Sequence, residues 1–275
     1  MSTKPYKDFE PAWIKTAAPK NSYRSIFRWG DPEFVKYPKE ALYRMMKEKF
    51  VMTDEDFKSY ACDPGTDEVK LDIPCNIAKE HIDFLKSVYG ENGVSQSDYD
   101  RLSVAYGSTA YDLLRIRQRK FDSLPDVVVY PENSEQIEKT VAYCTEKKIP
   151  LYVYGGGSSV TRGVEPIKGG VSLDMRRSFN KVISFNEVDQ TITVQTGMSG
   201  PKLEQTLNNA VELFGAKRAY TCGHFPQSFE YSSVGGWVVT RGAGQNRGEN
   251  KNLQIFSCPN GSGSTRRRTG SKGGL

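Results

Sequence analysis

Histidine is nearly absent and cysteine is sparse: two histidines and five cysteines occur in 275 residues, with no Cys-x-x-Cys pair. A Cys/His zinc centre needs four such ligands at close spacing, and this set does not supply one. The cysteines (Cys62, Cys75, Cys144, Cys222, Cys258) are scattered and odd in number, so they read as reduced thiols rather than a disulfide framework. No apolar run approaches the roughly 18–20 residues of a membrane span. The opening "MSTKPYKDFEPAW" has no apolar secretory core and no Arg-rich amphipathic pattern, and the final "KGGL" is not a peroxisomal address. These absences leave a cytoplasmic protein as the expectation. Acidic residues are missing from 261–275, where Arg266, Arg267, Arg268 and Lys272 carry four of the five net positive charges and leave +1 for the remaining chain. The basic balance therefore belongs to a tail, and the body carries no nucleic-acid signature.

Glycine and β-branched residues, by contrast, are concentrated in places that matter. "KEALYRMMKEKF" sets Leu42, Met45, Met46 and Phe50 at helical spacing, which reads as packing surface. "NIAKEHIDFLKSVYG" does the same with Ile77, Ile82, Leu85 and Val88, stopped by Gly90; His81 on it reads as an ordinary helix residue. "SDYDRLSVAYG" and "AYDLLRIR" continue the helical trend to about residue 117. "PDVVVYP" then reads as a buried strand. Asn133 and Ser134 offer a helix cap, Ile137, Val141 and Cys144 an apolar stripe, and Lys147 and Lys148 a basic C-terminus before Pro150. "LYVY" (151–154) is a second strand. Strand, helix and strand in about 30 residues form a βαβ unit, so strands 127–130 and 151–154 are expected as parallel neighbours.

"GVSLDM", "KVISF" and "QTITVQTG" follow as strands, the last alternating with Ile192 and Val194 on one face, and "GPKLEQTLNNA" as a short helix with Pro201 in its first turn. Residues 261–275, almost wholly Gly, Ser, Thr and basic, cannot bury a core and are expected to be disordered.

Two glycine-rich stretches carry the chemistry. "VYGGGSSVTRGV" (153–164) leaves the carboxyl end of the second strand, where open α/β sheets bind ligands. It is not a P-loop, which needs Gly-Lys at fixed spacing. It is not the G-x-G-x-x-G dinucleotide fingerprint either, because Val160 stands at the third glycine position. Its bare amides and the hydroxyls of Ser158, Ser159 and Thr161 suit either an anion-binding nest or a tight structural turn. "SSVGGWVVTRGAG" (232–244) repeats this chemistry around an apolar, strand-like segment. Two donor-rich loops suit an extended diphosphate.

"PDVVVYPENSEQIEKTVAYCTEKKIPLYVYGGGSSVTRGV" resembles the start of the PCMH-type FAD-binding domain of the vanillyl-alcohol-oxidase superfamily. "TCGHFPQSFEYSSVGGWVVTRGAG", "FRWGDP" and "RLSVAYGSTAYDLLRIRQRKFDSLPDVVVYP" are similar to the alkyl-dihydroxyacetonephosphate synthase family, from about Phe27 to Gly244. The resemblance implies an α+β fold class: a mostly helical N-terminal region (1–120), a PCMH-type FAD-binding α+β domain (121–247) incomplete at its C-terminus, and a disordered low-complexity tail (248–275). It implies noncovalent FAD, since Ser158 and Ser159 stand where some relatives carry a flavin-linking histidine. On this resemblance the cofactor-binding residues are Val153, Tyr154, Gly155, Gly156, Gly157, Ser158 and Ser159 on one loop; Gln227, Ser228, Phe229, Glu230, Tyr231, Ser232 and Ser233 on the next; and Thr240, Arg241, Gly242 and Ala243 beyond. Arg241 either adds charge to the cofactor or forms a surface salt bridge; His224 either approaches the flavin or bonds within its loop.

The implied activity is ether-lipid synthesis by exchange of an alcohol for an acyl group, on a small-molecule or lipid-like substrate, in a family with a homodimer among its assemblies. The alternatives are an FAD-dependent oxidoreductase acting on a hydroxy acid or alcohol, and a noncatalytic fragment. Past Gly244 the resemblance ends. The expectation is therefore a shortened or frame-shifted chain that lacks the substrate-binding cap and is inactive alone. No metal, nucleic acid or transmembrane segment is expected.

Overall fold

The computed structural model describes residues 18–26, 40–58 and 65–242, together with the backbone of 253–257 and 262–267. The chain divides into two compact units, one of residues 1–69 with 113–120 and the other of 70–112 with 121–275.

In the first unit, α1 (Tyr23–Ile26), α2 (Glu40–Phe50) and α3 (Asp54–Lys58) are short. Tyr23 is buried beneath the Arg119 guanidinium, 4.8 Å from its ring, and Arg119 pairs with Asp67 at 2.6 Å. Tyr43 and Phe57 bring α2 against α3 with ring centroids 4.9 Å apart, beside a Lys47–Asp54 pair at 3.0 Å. Leu42, Met45 and Phe50 on α2 remain exposed.

The second unit opens with α4 (Lys79–Tyr89), β1 (Val94–Ser95), α5 (Asp98–Ser103) and α6 (Ala110–Arg117), the last running on into the first unit. Next come β2 (Val127–Val129), α7 (Ser134–Lys147), β3 (Leu151–Tyr154) and β4 (Val171–Asp174). These strands form one sheet in the order β1-β2-β4-β3. The Val-Val-Val run of β2 is wholly buried because both sheet faces are covered. Val127 and Val129 join Leu85, Tyr89, Cys144 and Leu173 on one side; Val128 joins Val104, Tyr130 and Tyr154 on the other. Gly90 ends α4 at a φ of 72°, a conformation that favours glycine.

Two expectations are corrected here. β2 and β3 are parallel and share a sheet, but β4 lies between them and pairs with both. All four β4 residues are buried, whereas Val153 on β3 is 59% exposed, so the strand that hides both faces takes the centre and β3 takes the edge. "GVSLDM" reads as a strand, but Ser172 and Asp174 hide its central place in the sheet; Asp174 is neutralised there by a bidentate Arg176 at 2.9 and 2.6 Å. On α7, Asn133 caps the Gln136 N–H as read, but Val141 is 45% exposed and Thr140 is buried in its place. The Thr140 hydroxyl meets the Tyr89 hydroxyl at 2.6 Å and donates to Gln136 O, so this polar side chain is satisfied on the inner face.

A second sheet, ordered β5-β6-β8-β7, is antiparallel throughout. It holds β5 (Val182–Asn186), β6 (Thr191–Gln195), β7 (Leu253–Ser257) and β8 (Ser262–Arg267). Ile192 and Val194 of β6 turn inward as the alternation requires and pack on α8 (Gly200–Asn208) through Leu203 and Leu207. α9 (Ala210–Phe214) and α10 (Val234–Val239) follow. Two further readings change. The apolar segment 234–239 is a helix rather than strand-like: Ser233 caps the Gly236 N–H, and Val234 and Trp237, three residues apart, are the buried pair. Within the segment expected to be disordered, β8 pairs with β6 and with β7. A Gly/Ser/Thr-rich strand buries no core, yet its backbone donors and acceptors satisfy the open edge of β6.

Candidate functional site

The first glycine loop starts where β3 ends at Tyr154 and begins the crossover to β4. The second stretch, 227–233, enters α10. The two are in direct contact. A Cβ on Gly156 would lie 1.7 Å from Tyr231 O and 2.6 Å from Ser232 Cα, and one on Gly155 would lie 2.4 Å from Ser233 Oγ. Gly157 has a φ of +70°, and a side chain there would strike the Tyr154 hydroxyl at 2.0 Å. Gly156 is thus required by the second loop's backbone, Gly155 faces the Ser233 side chain that caps α10, and Gly157 is required by its own left-handed conformation.

The second stretch is held from below by residues 196–200. Gly200 N–H donates to Ser232 O, Val234 N–H to Met198 O and Gly235 N–H to Thr196 O, at 3.2, 2.9 and 2.8 Å. Trp237 Nε1–H donates to Ser232 Oγ at 2.7 Å in a buried contact. Ser232 and Ser233 are buried; Gln227 and Glu230 are exposed. Phe229 covers Gly200, where a Cβ would meet its carbonyl oxygen at 2.5 Å.

Among the described residues, the amides of Gly155, Gly156, Gly157, Ser158 and Ser159 donate to no protein acceptor. Consecutive unpaired N–H groups around a left-handed glycine form a concavity for anionic oxygens. His224 supplies a second unmet demand. It is 6% exposed, its Nε2 has no partner among the described residues, and its ring meets Trp237 edge-on at 4.8 Å.

Burial also pushes the His224 pKa below its ordinary value of 6.5. The folded ring therefore stays neutral while the unfolded chain begins to protonate it. The stability it contributes is whole above about pH 6.5 and drains away as pH falls below that value. Thermal melts across this range should show a drop on the acid side that His224→Phe makes shallower; an unchanged slope would contradict the assignment.

Val153, Thr240, Arg241 and Gly242 stand at the ends of the elements that carry the two stretches. Val153 is on the exposed edge strand. Thr240 and Gly242 close the far end of α10, the Thr240 hydroxyl donating to Gly236 O and Gly242 N–H to Trp237 O. Arg241 is exposed, with φ +50°, and forms no ion pair among the described residues. Ala243 lies outside the described residues.

The Tyr106–Thr109 segment braces the first loop. Ser108 N–H donates to Ser159 O and Ser108 Oγ to Gly157 O, both at 2.9 Å, and the Tyr154 hydroxyl donates to Tyr106 O at 3.2 Å. A Cβ on Gly107 would lie 2.1 Å from Ser159 O. The signal was present in "YGST", a third small, hydroxyl-rich run following a helix.

This is an α+β domain in which two glycine stretches, distant in sequence, meet around a row of open amides. A family model described as an FAD binding domain matches residues 125–267. The chain belongs to that family, and FAD is the family's cofactor. The match passes Gly244, where the sequence reading ended the resemblance, and reaches the β8 residues that pair with β6.

The chain is 28% identical over 219 residues to an alkyldihydroxyacetonephosphate synthase of Dictyostelium discoideum, covering 78% of this chain and 34% of that protein. It is 34% identical over 150 residues to a mitochondrial cytochrome-type D-lactate dehydrogenase of Kluyveromyces lactis, covering 53% and 26%. A solved alkyldihydroxyacetonephosphate synthase structure superposes with a TM-score of 0.60 at 27% identity, over 70% of this chain and 37% of that one. The chain spans about a third of the length of the curated synthases it matches.

The residues present fit the cofactor. The open amides can donate to diphosphate oxygens, the glycines keep side chains out of the way, and the buried Nε2 of His224 has hydrogen-bonding capacity unused among the described residues.

Proposed function

We propose that this chain is the FAD-binding portion of an enzyme of the alkyldihydroxyacetonephosphate synthase kind, holding FAD noncovalently. The observation that carries this is the contact of the two glycine stretches beside the unpaired amides of Gly155–Ser159. In this reading Tyr154–Ser159 cradle the diphosphate. Gln227–Ser233 continue the site along the cofactor, and Thr240–Ala243 complete it past α10. Bound FAD supplies the isoalloxazine chemistry that no side chain provides. The chain's own contribution is to bind and orient: the left-handed Gly157 and its neighbours aim N–H dipoles at one anion, and buried Ser232 and Ser233 fix the second stretch through Trp237 and the α10 cap.

The synthase reading is supported over a hydroxy-acid dehydrogenase because the resemblance to the synthase covers 78% of the chain against 53%. The dehydrogenase relationship keeps an FAD-dependent oxidoreductase as the second reading. A lipid-like substrate, a homodimer and a cytoplasmic location belong to the proposal. No helix among the described residues is long and apolar enough to cross a membrane.

The test is direct. Purified protein mixed with FAD and passed through a desalting column should carry flavin absorbance, and acid precipitation should release all of it to the supernatant. Colourless protein would refute the cofactor reading, and flavin in the pellet would refute noncovalent attachment.

A further inference from the structure

Beside the two glycine stretches stands the Tyr106–Thr109 turn. Its conformation is locally determined. Thr109 N–H donates to Asp112 Oδ2 at 3.1 Å, and Asp112 N–H donates back to Thr109 Oγ1 at 2.9 Å. This reciprocal cap needs no distant partner to form. Asp112 is 1% exposed, so the cap sits on a buried anchor.

Rigidly placed in this way, Ser108 uses both its donors on the glycine loop. Its N–H takes Ser159 O and its hydroxyl takes Gly157 O, both at 2.9 Å. Gly107 lets the two backbones approach, since any side chain there would strike Ser159 O. The consequence is directional. Two carbonyls of the loop are drawn toward Ser108 and held there, and the loop's N–H groups, which have no acceptor among the described residues, are left for a ligand. A glycine loop without such a brace samples many conformations, and ordering them on binding costs affinity.

We infer that Ser108 is a positioning residue for the diphosphate: it pre-forms the anion nest of Gly155–Ser159 by occupying the loop's carbonyls, without itself touching the cofactor. This rests on the FAD reading above. It also predicts a division of labour, because the brace acts on the phosphate-binding loop and on no other part of the site.

The experiment compares wild type, Ser108→Ala and Ser108→Thr with three probes: FAD, ADP and riboflavin. Loss of one hydroxyl hydrogen bond that orders the loop should weaken FAD and ADP alike, by about five- to tenfold. Riboflavin carries no phosphate, and its affinity should not change. Ser108→Thr keeps the hydroxyl and should restore the nucleotide affinities. Hydrogen exchange without any ligand gives a second measurement: the amides of 155–159 should exchange faster in Ser108→Ala while those of β2 and β4 do not. Equal loss for riboflavin and FAD would mean a general structural defect and overturn the inference. So would unchanged FAD and ADP affinity, or unchanged loop exchange, in Ser108→Ala. Failure of the wild type to bind either FAD or ADP would instead overturn the flavin reading, and this inference with it.

Discussion

Gly156→Ala should abolish flavin retention and cost about 3 kcal/mol of stability, from a single added methyl group. The reason is the identity of the atoms in the way. The new Cβ would meet Tyr231 O at 1.7 Å and Ser232 Cα at 2.6 Å, both backbone. Neither can swing aside as a flexible side chain would. The second stretch would have to move, yet its backbone is tied to residues 196–200 by three hydrogen bonds. The two loops would separate, and the row of amides would lose its shape. Gly163→Ala in the same crossover is the control. Nothing lies within 4 Å of its added Cβ and no positive φ is involved, so stability should hold or rise slightly through the unfolded state. Denaturant midpoints and flavin content of both variants decide the matter. A Gly156→Ala protein that melts like wild type and stays yellow would show that the loops do not pack this way in solution.

Trp237→Ala should be similarly damaging, at about 3–5 kcal/mol. Trp237 is 3% exposed and packs with Val194, Met198, Leu203 and Val234 between the second sheet and its helices. It also lies edge-on to His224 and nearly parallel to Phe229, at 4.8 and 6.2 Å. Its indole N–H is the partner of Ser232 Oγ. Removing it opens a cavity and releases the second glycine stretch at once. Trp237→Phe separates the two effects: most of the volume is kept and the buried serine loses its donor, which should cost about 1–2 kcal/mol. Equal losses for the two substitutions, read by chemical denaturation, would mean that the hydrogen bond outweighs the packing and would reverse this account.

Much of the architecture is legible because it is local. The βαβ unit follows from an apolar run, a capping asparagine and a basic helix end, and the structure returns β2, the Asn133 cap, α7 and β3 in those places. The alternation of β6 and the Gly90 stop are equally local. The readings that changed turn on caps and on which side chains are buried, features that residue type alone does not display. Val234–Val239 looks like strand by its β-branched content, but the Ser233 cap and the burial of Val234 with Trp237 make it helix. Thr140 takes the inner face of α7 in place of Val141, its hydroxyl satisfied there by Gln136 O and the Tyr89 hydroxyl.

By itself the sequence determined the strand–helix–strand order, the two bare glycine stretches and the family to which they belong, since each is written in contiguous residues of a kind few other roles require. Tertiary structure alone decided which strand lies in the centre of the first sheet, because that choice compares burial across segments: β4 can hide both faces once Arg176 neutralises Asp174, and β3 cannot. It alone brought Gly156 against Tyr231 and set Ser108 behind Gly157, contacts between residues 75 and 49 positions apart that no local pattern encodes. The chemistry of the loops is a property of composition; their convergence is a property of packing.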